Sequence, residues 1–328
     1  MKISKIGRMM TPKFKLGKKI VEPLHTAEWI NDETKKYNKL PGILRKLSGE
    51  FPCVPFGIND SIEEITEEWK NTFSTKPYIV NEPHGYAANH NWDVIDLTNN
   101  KAKFKIIYPA EDNVDYLIRS IEVDSKHPLT IKCSLTVAVK NDCTLPIGLH
   151  PMIKVPHKKN MIKIIPGKFK FGLTCPGLIY KDKTAGAIGK EFNSIERVPS
   201  FENEFIDLSS PPFEGNYEDL FQLCGADGNI SIENYKDNFC FTYNWNPSHF
   251  SSLLMWLSNK GRKEYPWRSN HVTMGLEPIC SAFGFSPHVS CNPNNPIHSR
   301  GIPTCIKFYK KKLWKTEYQF SIRELKKQ

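Results

Sequence analysis

The sequence lacks the patterns that mark disulfide-rich, secreted and membrane-spanning proteins. Its nine cysteines are an odd number and include no Cys-x-x-Cys pair, which argues against a disulfide framework and against a zinc ribbon. No segment approaches the run of about 18 apolar residues that a membrane-spanning helix requires. The basic residues within 1–19 precede no apolar stretch of signal-peptide length. We therefore expect a cytoplasmic protein with reduced thiols and no membrane partner.

Motifs for nucleotide binding and for covalent catalysis are also missing. The chain has no Gly-x-x-x-x-Gly-Lys-[Ser/Thr] loop, no Gly-x-Gly-x-x-Gly motif and no Gly-x-Ser-x-Gly nucleophile elbow. Its formal net charge of +10 raises the question of nucleic acid. The lysines and arginines are spread along the chain and concentrated only at its two ends, with no recognition motif beside them. We expect no nucleic-acid partner.

Apolar residues alternate with polar ones along several segments, as they do in half-buried β-strands. In the longest example, positions 129, 131, 133, 135, 137 and 139 are apolar and 130, 132, 134 and 136 are polar. Other strand-like segments are 104–108, 116–123, 161–165, 230–232, 239–245, 253–257 and 306–309. Clusters of Pro, Gly, Asn and Asp separate them as turns. The pattern predicts an all-β fold, a large antiparallel β-sandwich with a few short helices.

Helical periodicity is scarce. In residues 61–73 four apolar side chains share one face, and Ser61 and Glu64 have the spacing of a capping box. Residues 40–47 are a shorter helical candidate.

The chain shows no low-complexity linker, no repeat and no abrupt shift in composition. Large all-β domains often reach this length. We expect one domain over residues 1–328, in which residues 1–44 form an N-terminal extension that packs on the sandwich or precedes it.

Two polar residues stand in apolar surroundings. His150 ends an apolar run and precedes Pro151, which interrupts strand pairing. Glu277 lies between apolar neighbours, and burial raises the pKa of a carboxyl group toward the range that a general base needs. Simpler readings remain for both: a buried histidine bonded to a backbone carbonyl, and a surface glutamate at a strand end.

Other histidines and the tryptophans offer weaker signals. His84 and His90 lie in one short segment, but no third ligand has a suitable spacing, so we expect no metal there. Aromatic side chains stack on the apolar faces of sugars. Core packing is the simpler reading for each of the candidates, which are Trp92, Trp245, Trp256 and Trp267.

Four segments in this order resemble the aldose 1-epimerase (galactose mutarotase-like) family, nearest to its branch of hexose-6-phosphate mutarotases. They are Phe51–Gly57, His84–Trp92, His150-Pro151 and Leu276–Pro278. Between the last two, Tyr217–Phe221 resembles the family segment that carries a sugar-binding aspartate, which would be Asp219. The resemblance covers residues from about 45 to the C-terminus.

The resemblance implies a cofactor-free enzyme that interconverts the α and β anomers of a hexose or a related sugar. Glu277 would take the proton of the anomeric hydroxyl while a protonated His150 gives one to the ring oxygen. The substrate-binding residues that we predict are His84, Asp219, Trp92, Asn89, Arg45 and Trp267.

The sequence departs from the phosphosugar branch at two positions. Ala88 replaces the arginine that helps to hold the 6-phosphate, and Lys46 begins the segment where a second arginine is expected, with Arg45 nearby. Lysine does not replace the bidentate geometry of arginine. A different anion site would use Arg262, Lys263 or Arg268.

Two other functions stay open from the sequence. One is a carbohydrate-binding or sensing protein without catalysis, because fold does not fix function. The other is a hydrolase or lyase, which would need a second carboxylate, Glu264 or Asp219, facing Glu277.

Overall fold

The computed structural model describes residues 1–58, 60, 62–73 and 82–325. In this part of the chain strands predominate. In chain order they are β1 (Lys2–Ile3), β2 (Met10–Thr11), β3 (Phe14–Leu16), β4 (Lys19–Val21), β5 (Pro52–Cys53), β6 (Asp93–Leu97), β7 (Lys101–Ile107), β8 (Val114–Val123), β9 (Thr130–Val139), β10 (Cys143–Leu145), β11 (Ile147–Leu149), β12 (Met152–Lys154), β13 (Ile162–Pro166), β14 (Phe171–Thr174), β15 (Glu191–Phe192), β16 (Val198–Pro199), β17 (Phe205–Ile206), β18 (Tyr217–Cys224), β19 (Asn229–Asn234), β20 (Phe239–Trp245), β21 (Ser252–Asn259), β22 (Val272–Cys280), β23 (Ile306–Phe308) and β24 (Trp314–Glu324).

The helices are short. They are α1 (Lys35–Asn38), α2 (Gly42–Arg45), α3 (Glu67–Lys70), α4 (Tyr86–Asn89), α5 (Pro287–Ser290) and α6 (Pro296–Ser299). None of the helices in the described residues is long and apolar enough to cross a membrane.

Two eight-stranded antiparallel sheets form the sandwich. The first sheet has the order β15-β14-β18-β21-β22-β11-β5, with β12 also paired to β22. The second has the order β13-β19-β20-β24-β9-β8-β7-β6. The predicted all-β sandwich is confirmed, and each strand-like segment of the sequence lies on a strand.

The core between the sheets follows from the alternation of residues along the strands. On β9 the buried Ile131, Cys133 and Leu135 point into this core. The intervening residues face outward, because successive side chains of a strand point to opposite sides of the sheet. One face of the second sheet is therefore solvated, and its strands alternate clearly.

The first sheet is covered on both faces. On β21, Leu253 and Met255 pack in the core between the sheets, whereas Leu254 and Trp256 belong to a second apolar cluster on the opposite face. A strand buried on both sides reads as a continuous apolar run. The second cluster is the layer in which the cavity described below is formed.

The helix predicted over residues 61–73 is wrong for its N-terminal half. Only α3 is helical, and Ser61 lies outside the described residues. Glu64 has φ +54°, which cannot continue a right-handed helix. Glu63 instead forms a β-bridge with Leu178. The shorter candidate at 40–47 is confirmed as α2.

Residues 1–44 pack against the sandwich and contribute to both apolar layers. Met10 and Leu24 are buried in the core between the sheets, and Trp29 and Ile43 are buried in the outer cluster. The single domain over residues 1–328 stays a prediction.

A buried ion pair connects the loop before β5 to the second sheet. Glu50 and Arg119 are each 0% exposed and form a direct contact. Tyr318 donates to the Glu50 carboxylate at 3.1 Å, and Arg119 donates to the carbonyl of Arg8 at 2.6 Å. Burial raises the pKa of Glu50, and the guanidinium opposes that rise. The pair fixes the start of the segment that leads to β5.

We predict that Glu50→Gln destabilises the fold by about 3–5 kcal/mol, because it leaves the Arg119 guanidinium buried without a counter-charge. Urea denaturation would measure the change. Glu67→Gln, which removes an exposed partner of Lys70, is the control and should leave stability unchanged. A loss for Glu50→Gln as small as that of the control would contradict the assignment.

Candidate active site

A cavity of about 390 Å³ opens on the outer face of the first sheet. This size is in the range of small-molecule sites. Its apolar wall includes Ile43, Leu44, Leu47, Leu220, Leu254, Trp256 and Trp267. Its polar lining residues are His84, His150, Tyr180, Glu218, Asp219, Arg262 and Glu277. An apolar cleft with a few convergent polar groups is typical of a binding site.

The strand pairing brings His150 beside Glu277. Both β11 and β12 pair with β22, β11 at Ile279 and Cys280 and β12 at Thr273 to Gly275. The break between β11 and β12 is the dipeptide His150-Pro151, so it lies opposite the middle of β22. The amide of Leu276 donates to the Pro151 carbonyl at 2.9 Å, which fixes this register.

Glu277 is a buried carboxylic acid with few polar neighbours. It is 1% exposed, and its Oε1 lies 3.5 Å from His150 Nε2. Among the described residues no donor forms a hydrogen bond with its carboxylate. Burial therefore raises the pKa of Glu277 well above its ordinary range. A group tuned in this direction suits proton transfer near neutral pH.

Gly275 makes room for the Glu277 carboxylate. Both residues lie on the cavity face of β22, opposite Trp256 and Leu254 of β21. A Cβ atom on Gly275 would lie 2.3 Å from Glu277 Oε1 and 3.0 Å from the Cβ of Trp256. Any larger residue at 275 would push the carboxylate away.

His150 is held by aromatic rings on three sides. Phe51 stacks on it at 4.7 Å between centroids, and His84 and Trp256 meet it edge-on at 5.1 and 5.7 Å. Its amide donates to the Phe51 carbonyl at 2.9 Å. The segment that contains Phe51 therefore orients the histidine.

Burial lowers the pKa of His150 well below its ordinary value, and the neighbouring His84 adds to this effect. The imidazole is neutral near pH 7 in the pocket without sugar. The protonated form that the resemblance assigns to His150 during the reaction is therefore the costly form in this pocket. Its buried Nδ1 has no hydrogen-bond partner in the described part of the chain.

His84 reaches the cavity from the loop before α4. Its φ is +60°, and its amide donates to the Gly57 carbonyl at 2.8 Å. The Gly57 amide donates in turn to His84 Nδ1 at 3.4 Å. Burial lowers the pKa of His84 to about 4. The neutral ring therefore carries its proton on Nε2, where it is available as a hydrogen-bond donor.

Glu218 and Asp219 both line the cavity, but strand alternation places their side chains on opposite faces of β18. Asp219 points to the same face as Phe221, which packs between the sheets. Glu218 points to the same face as Leu220, which belongs to the outer cluster. The sequence motif pointed to Asp219 and not to Glu218. The two acidic residues are adjacent in one segment, and only the strand register distinguishes the directions of their side chains.

The Asp219 carboxylate is occupied by backbone amides. Its Oδ2 accepts hydrogen bonds from Ala185 and Gly186 at 2.9 Å each, and its Oδ1 accepts one from Leu220 at 2.7 Å. Burial raises the pKa of Asp219 to about 7 against these three bonds. This side chain fixes the loop at 185–186 to β18.

Glu218 anchors the aromatic wall of the cavity. Its Oε1 accepts a hydrogen bond from Trp256 Nε1 at 2.6 Å and lies 2.7 Å from Arg262 Nη2. The guanidinium of Arg262 lies over the Trp267 ring at 4.5 Å. Burial raises the pKa of Glu218, and the charge of Arg262 together with hydrogen bonds from Trp256 and Ser258 opposes that rise. Trp256 and Trp267 both line this wall and meet edge-on, with ring centroids 6.1 Å apart and an interplanar angle of 84°. Stacking of a sugar on either ring stays a prediction.

Three predicted substrate-binding residues do not line the cavity. Trp92 is 2% exposed, packs between the sheets and donates to the Ala87 carbonyl at 2.8 Å. Asn89 donates to the carbonyls of Pro83 and Gly85 at 2.8 and 2.9 Å, and so holds the loop that carries His84.

The third of these residues, Arg45, ends α2 immediately after the cavity residue Leu44. His90, the residue after α4, forms a hydrogen bond with Glu82 at 2.5 Å.

No protein-family model and no curated protein matches the sequence. Solved structures of galactose mutarotase-like proteins share this fold at low sequence identity. A GalM/aldose epimerase homologue from C. elegans matches with a TM-score of 0.62 at 11% identity, covering 99% of this chain and 95% of that chain. A galactose mutarotase-like protein from Clostridium acetobutylicum matches with a TM-score of 0.58 at 17% identity, covering 98% and 92%. This likeness agrees with the antiparallel β-sandwich predicted from the sequence.

We predict that the His150 ring stays neutral when the pH is lowered through 6.5, because its burial disfavours the imidazolium. Nitrogen-detected NMR of the imidazole would report the state, with the signal assigned from a His150→Gln variant. Protonation of His150 at or above pH 6.5 would contradict the prediction.

Proposed function

We propose that the protein is a mutarotase, which interconverts the α and β anomers of a hexose or a related sugar by opening and closing the ring. The observation that carries the proposal is the buried pair of Glu277 and His150, 3.5 Å apart at the floor of a sugar-sized cavity. The two oxygens that exchange protons in the reaction are bonded to the same anomeric carbon. The two groups that serve them must therefore lie close together, as these do.

For the protons to balance, Glu277 and His150 must hold one transferable proton between them. Glu277 takes the proton of the anomeric hydroxyl while His150 gives a proton to the ring oxygen, and the bond between the anomeric carbon and the ring oxygen breaks. The aldehyde rotates, and ring closure returns both protons. Ring opening starts with Glu277 ionised and His150 protonated. After ring opening, Glu277 is protonated and His150 is neutral beside the open-chain sugar.

Burial favours the neutral form of the pair, as the opposite pKa shifts of the two residues indicate. Proton transfer from the sugar to Glu277 therefore relieves a buried charge, which lowers the energy of the open-chain state. In the complex, sugar hydroxyls and the His84 Nε2 proton supply polar contacts that the pocket otherwise lacks. This is the part we assign to His84, as a binding residue.

The charges in the cavity favour a sugar without a phosphate group. Arg262 is the arginine among the described lining residues, and it is paired with Glu218 at 2.7 Å. Ala88 is fully buried, so it supplies no anion contact. A phosphate would have to take Arg262 from Glu218 and leave that buried carboxylate without its partner, which is costly.

Two candidate second carboxylates for glycoside hydrolysis are already bonded. Both oxygens of Asp219 accept backbone amides, and Glu264 accepts a hydrogen bond from Tyr180. These contacts favour an isomerase over a hydrolase, which needs a second carboxyl group free to act.

We predict that wild-type protein accelerates anomer exchange of at least one free hexose, measured by NMR exchange spectroscopy across free and 6-phosphorylated sugars. Glu277→Gln and His150→Gln should each lower the rate by about 10²–10⁴, because each removes a proton-transfer group. Exchange at the buffer rate for every sugar with wild-type protein would refute catalysis. Saturable sugar binding without exchange would identify a binding protein.

We also predict that Gly275→Ala keeps the fold but lowers the exchange rate by about 10², because it displaces the Glu277 carboxylate. Gly284→Ala is the matched control. Gly284 lines the same cavity, and its added Cβ would meet only Leu220 Cδ1 at 3.6 Å. Equal rates for the two variants would show that the position of Glu277 does not limit the reaction.

A further inference from the structure

A second group of polar side chains lies behind the aromatic wall of the cavity. One ligand atom each from His25, Glu28 and His271 lies within 4.8 Å of the other two. His25 and His271 are buried at 7% and 1% exposure, whereas the Glu28 side chain is 48% exposed. The mutarotase chemistry uses none of these residues.

Both imidazoles leave a ring nitrogen without a partner. Within the described part of the chain, the buried Nε2 atoms of His25 and His271 make no hydrogen bond. An unpaired buried polar atom is costly, so such atoms are rare in folded proteins. Two of them beside one carboxylate indicate that a ligand satisfies them.

The hydrogen bonds around His271 show which of its nitrogens carries the proton. Ser258 Oγ donates its single proton to Glu218 Oε2 at 3.0 Å, in a carboxylate that is paired with Arg262 through its other oxygen. Ser258 Oγ also lies 2.9 Å from His271 Nδ1. With the hydroxyl proton used, Nδ1 must be the donor, and Nε2 presents a lone pair.

This arrangement is the one that orients metal-binding histidines. A ligating imidazole usually donates its other N–H to an oxygen acceptor, which fixes the tautomer. Both rings are buried, and burial disfavours the charged imidazolium form, in which both nitrogens carry protons and neither can bind a metal ion. Lys154 adds a nearby positive charge at His25, which the Glu28 carboxylate offsets.

We infer that His25, Glu28 and His271 form a binding site for a divalent transition metal ion, with Zn²⁺ as the best match. Two imidazoles and a carboxylate are an established donor set for Zn²⁺, with water in the fourth position. The half-exposed Glu28 opens the site to solvent on one side.

The distances require little movement. Tetrahedral Zn²⁺ with bonds of about 2.0–2.1 Å places its ligand atoms about 3.3 Å apart. His25 Nε2 and Glu28 Oε1 are already 3.9 Å apart. The backbone of His25 is fixed by hydrogen bonds to Met152 and Gly49, and His271 directly precedes β22. Closing the ligand atoms from at most 4.8 Å to this spacing therefore falls to rotations of the three side chains.

Metal binding here would stiffen the cavity wall. The His271 ring stacks on Trp256 at 5.7 Å and meets Trp267 edge-on at 4.8 Å between centroids. An ion at Nε2 would connect the N-terminal loop at His25 to the start of β22, behind both tryptophans. The role is structural, and it is independent of the proposed mutarotase activity.

The test is Zn²⁺ titration of the full-length, chelator-treated protein by calorimetry. Wild type should bind one ion saturably, and Glu28→Gln should weaken binding by at least about tenfold. The variant replaces a half-exposed side chain and so keeps the fold. Glu33→Gln, at an exposed position in the same loop, is the matched control and should bind like wild type.

Co²⁺ substitution identifies the ligands. Tetrahedral Co²⁺ at this site should give visible d–d bands without a thiolate charge-transfer band, and His271→Gln should abolish them in a protein that circular dichroism shows to be folded. The inference is overturned if wild type binds no Zn²⁺ saturably or if Glu28→Gln binds like the control. A thiolate band would also overturn it, since it would place the ion on cysteines.

Discussion

The burial of Glu277 beside His150 is the constraint on which the rest of the site depends. A carboxyl group at 1% exposure, with no hydrogen-bond donor among the residues that the structure describes, is expensive to ionise next to a neutral imidazole. The protein maintains this arrangement with rigid neighbours. The break in pairing at His150-Pro151 fixes the histidine against β22, the Phe51 ring covers one of its faces, and Gly275 leaves the space that the carboxylate fills.

The first sheet makes this burial possible because apolar layers cover both of its faces. One face packs on the second sheet, and the other carries the cluster that surrounds the cavity. The outer layer is built partly from residues 1–44 and from the loop that His84 occupies. Asn89 fixes that loop through the carbonyls of Pro83 and Gly85, and Glu50 fixes the approach to β5 through Arg119. The site thus depends on segments that are distant in sequence.

Much of the fold could be predicted from the sequence, because the strands of the second sheet have one solvated face. The alternation on β9 and β20 gives their positions directly. The helix at 61–73 failed because side-chain periodicity does not report a backbone that leaves the helical region, as Glu64 does. His150 and Glu277 could be selected as candidate site residues because of their apolar neighbours in the sequence and the order of the motifs.

Other parts of the site required the register of the strands. The sequence of β18 does not show which of Glu218 and Asp219 points to the outer face of the first sheet, because this strand is buried on both faces and has no clear alternation. The motif residues Asn89 and Trp92 position the loop and the core, which the motif alone could not distinguish from sugar contact. His25 and His271 are far apart in the chain, and only the packing of the N-terminal loop on β22 brings them together.

A crystal structure of the wild-type protein with a bound hexose tests the central claim most directly. The quantities to measure are the distances from Glu277 and His150 to the two oxygens on the anomeric carbon. The account predicts the anomeric hydroxyl within hydrogen-bond distance of the Glu277 carboxylate and the ring oxygen within that distance of His150 Nε2. A sugar bound in the cavity with its anomeric carbon away from this pair would contradict it.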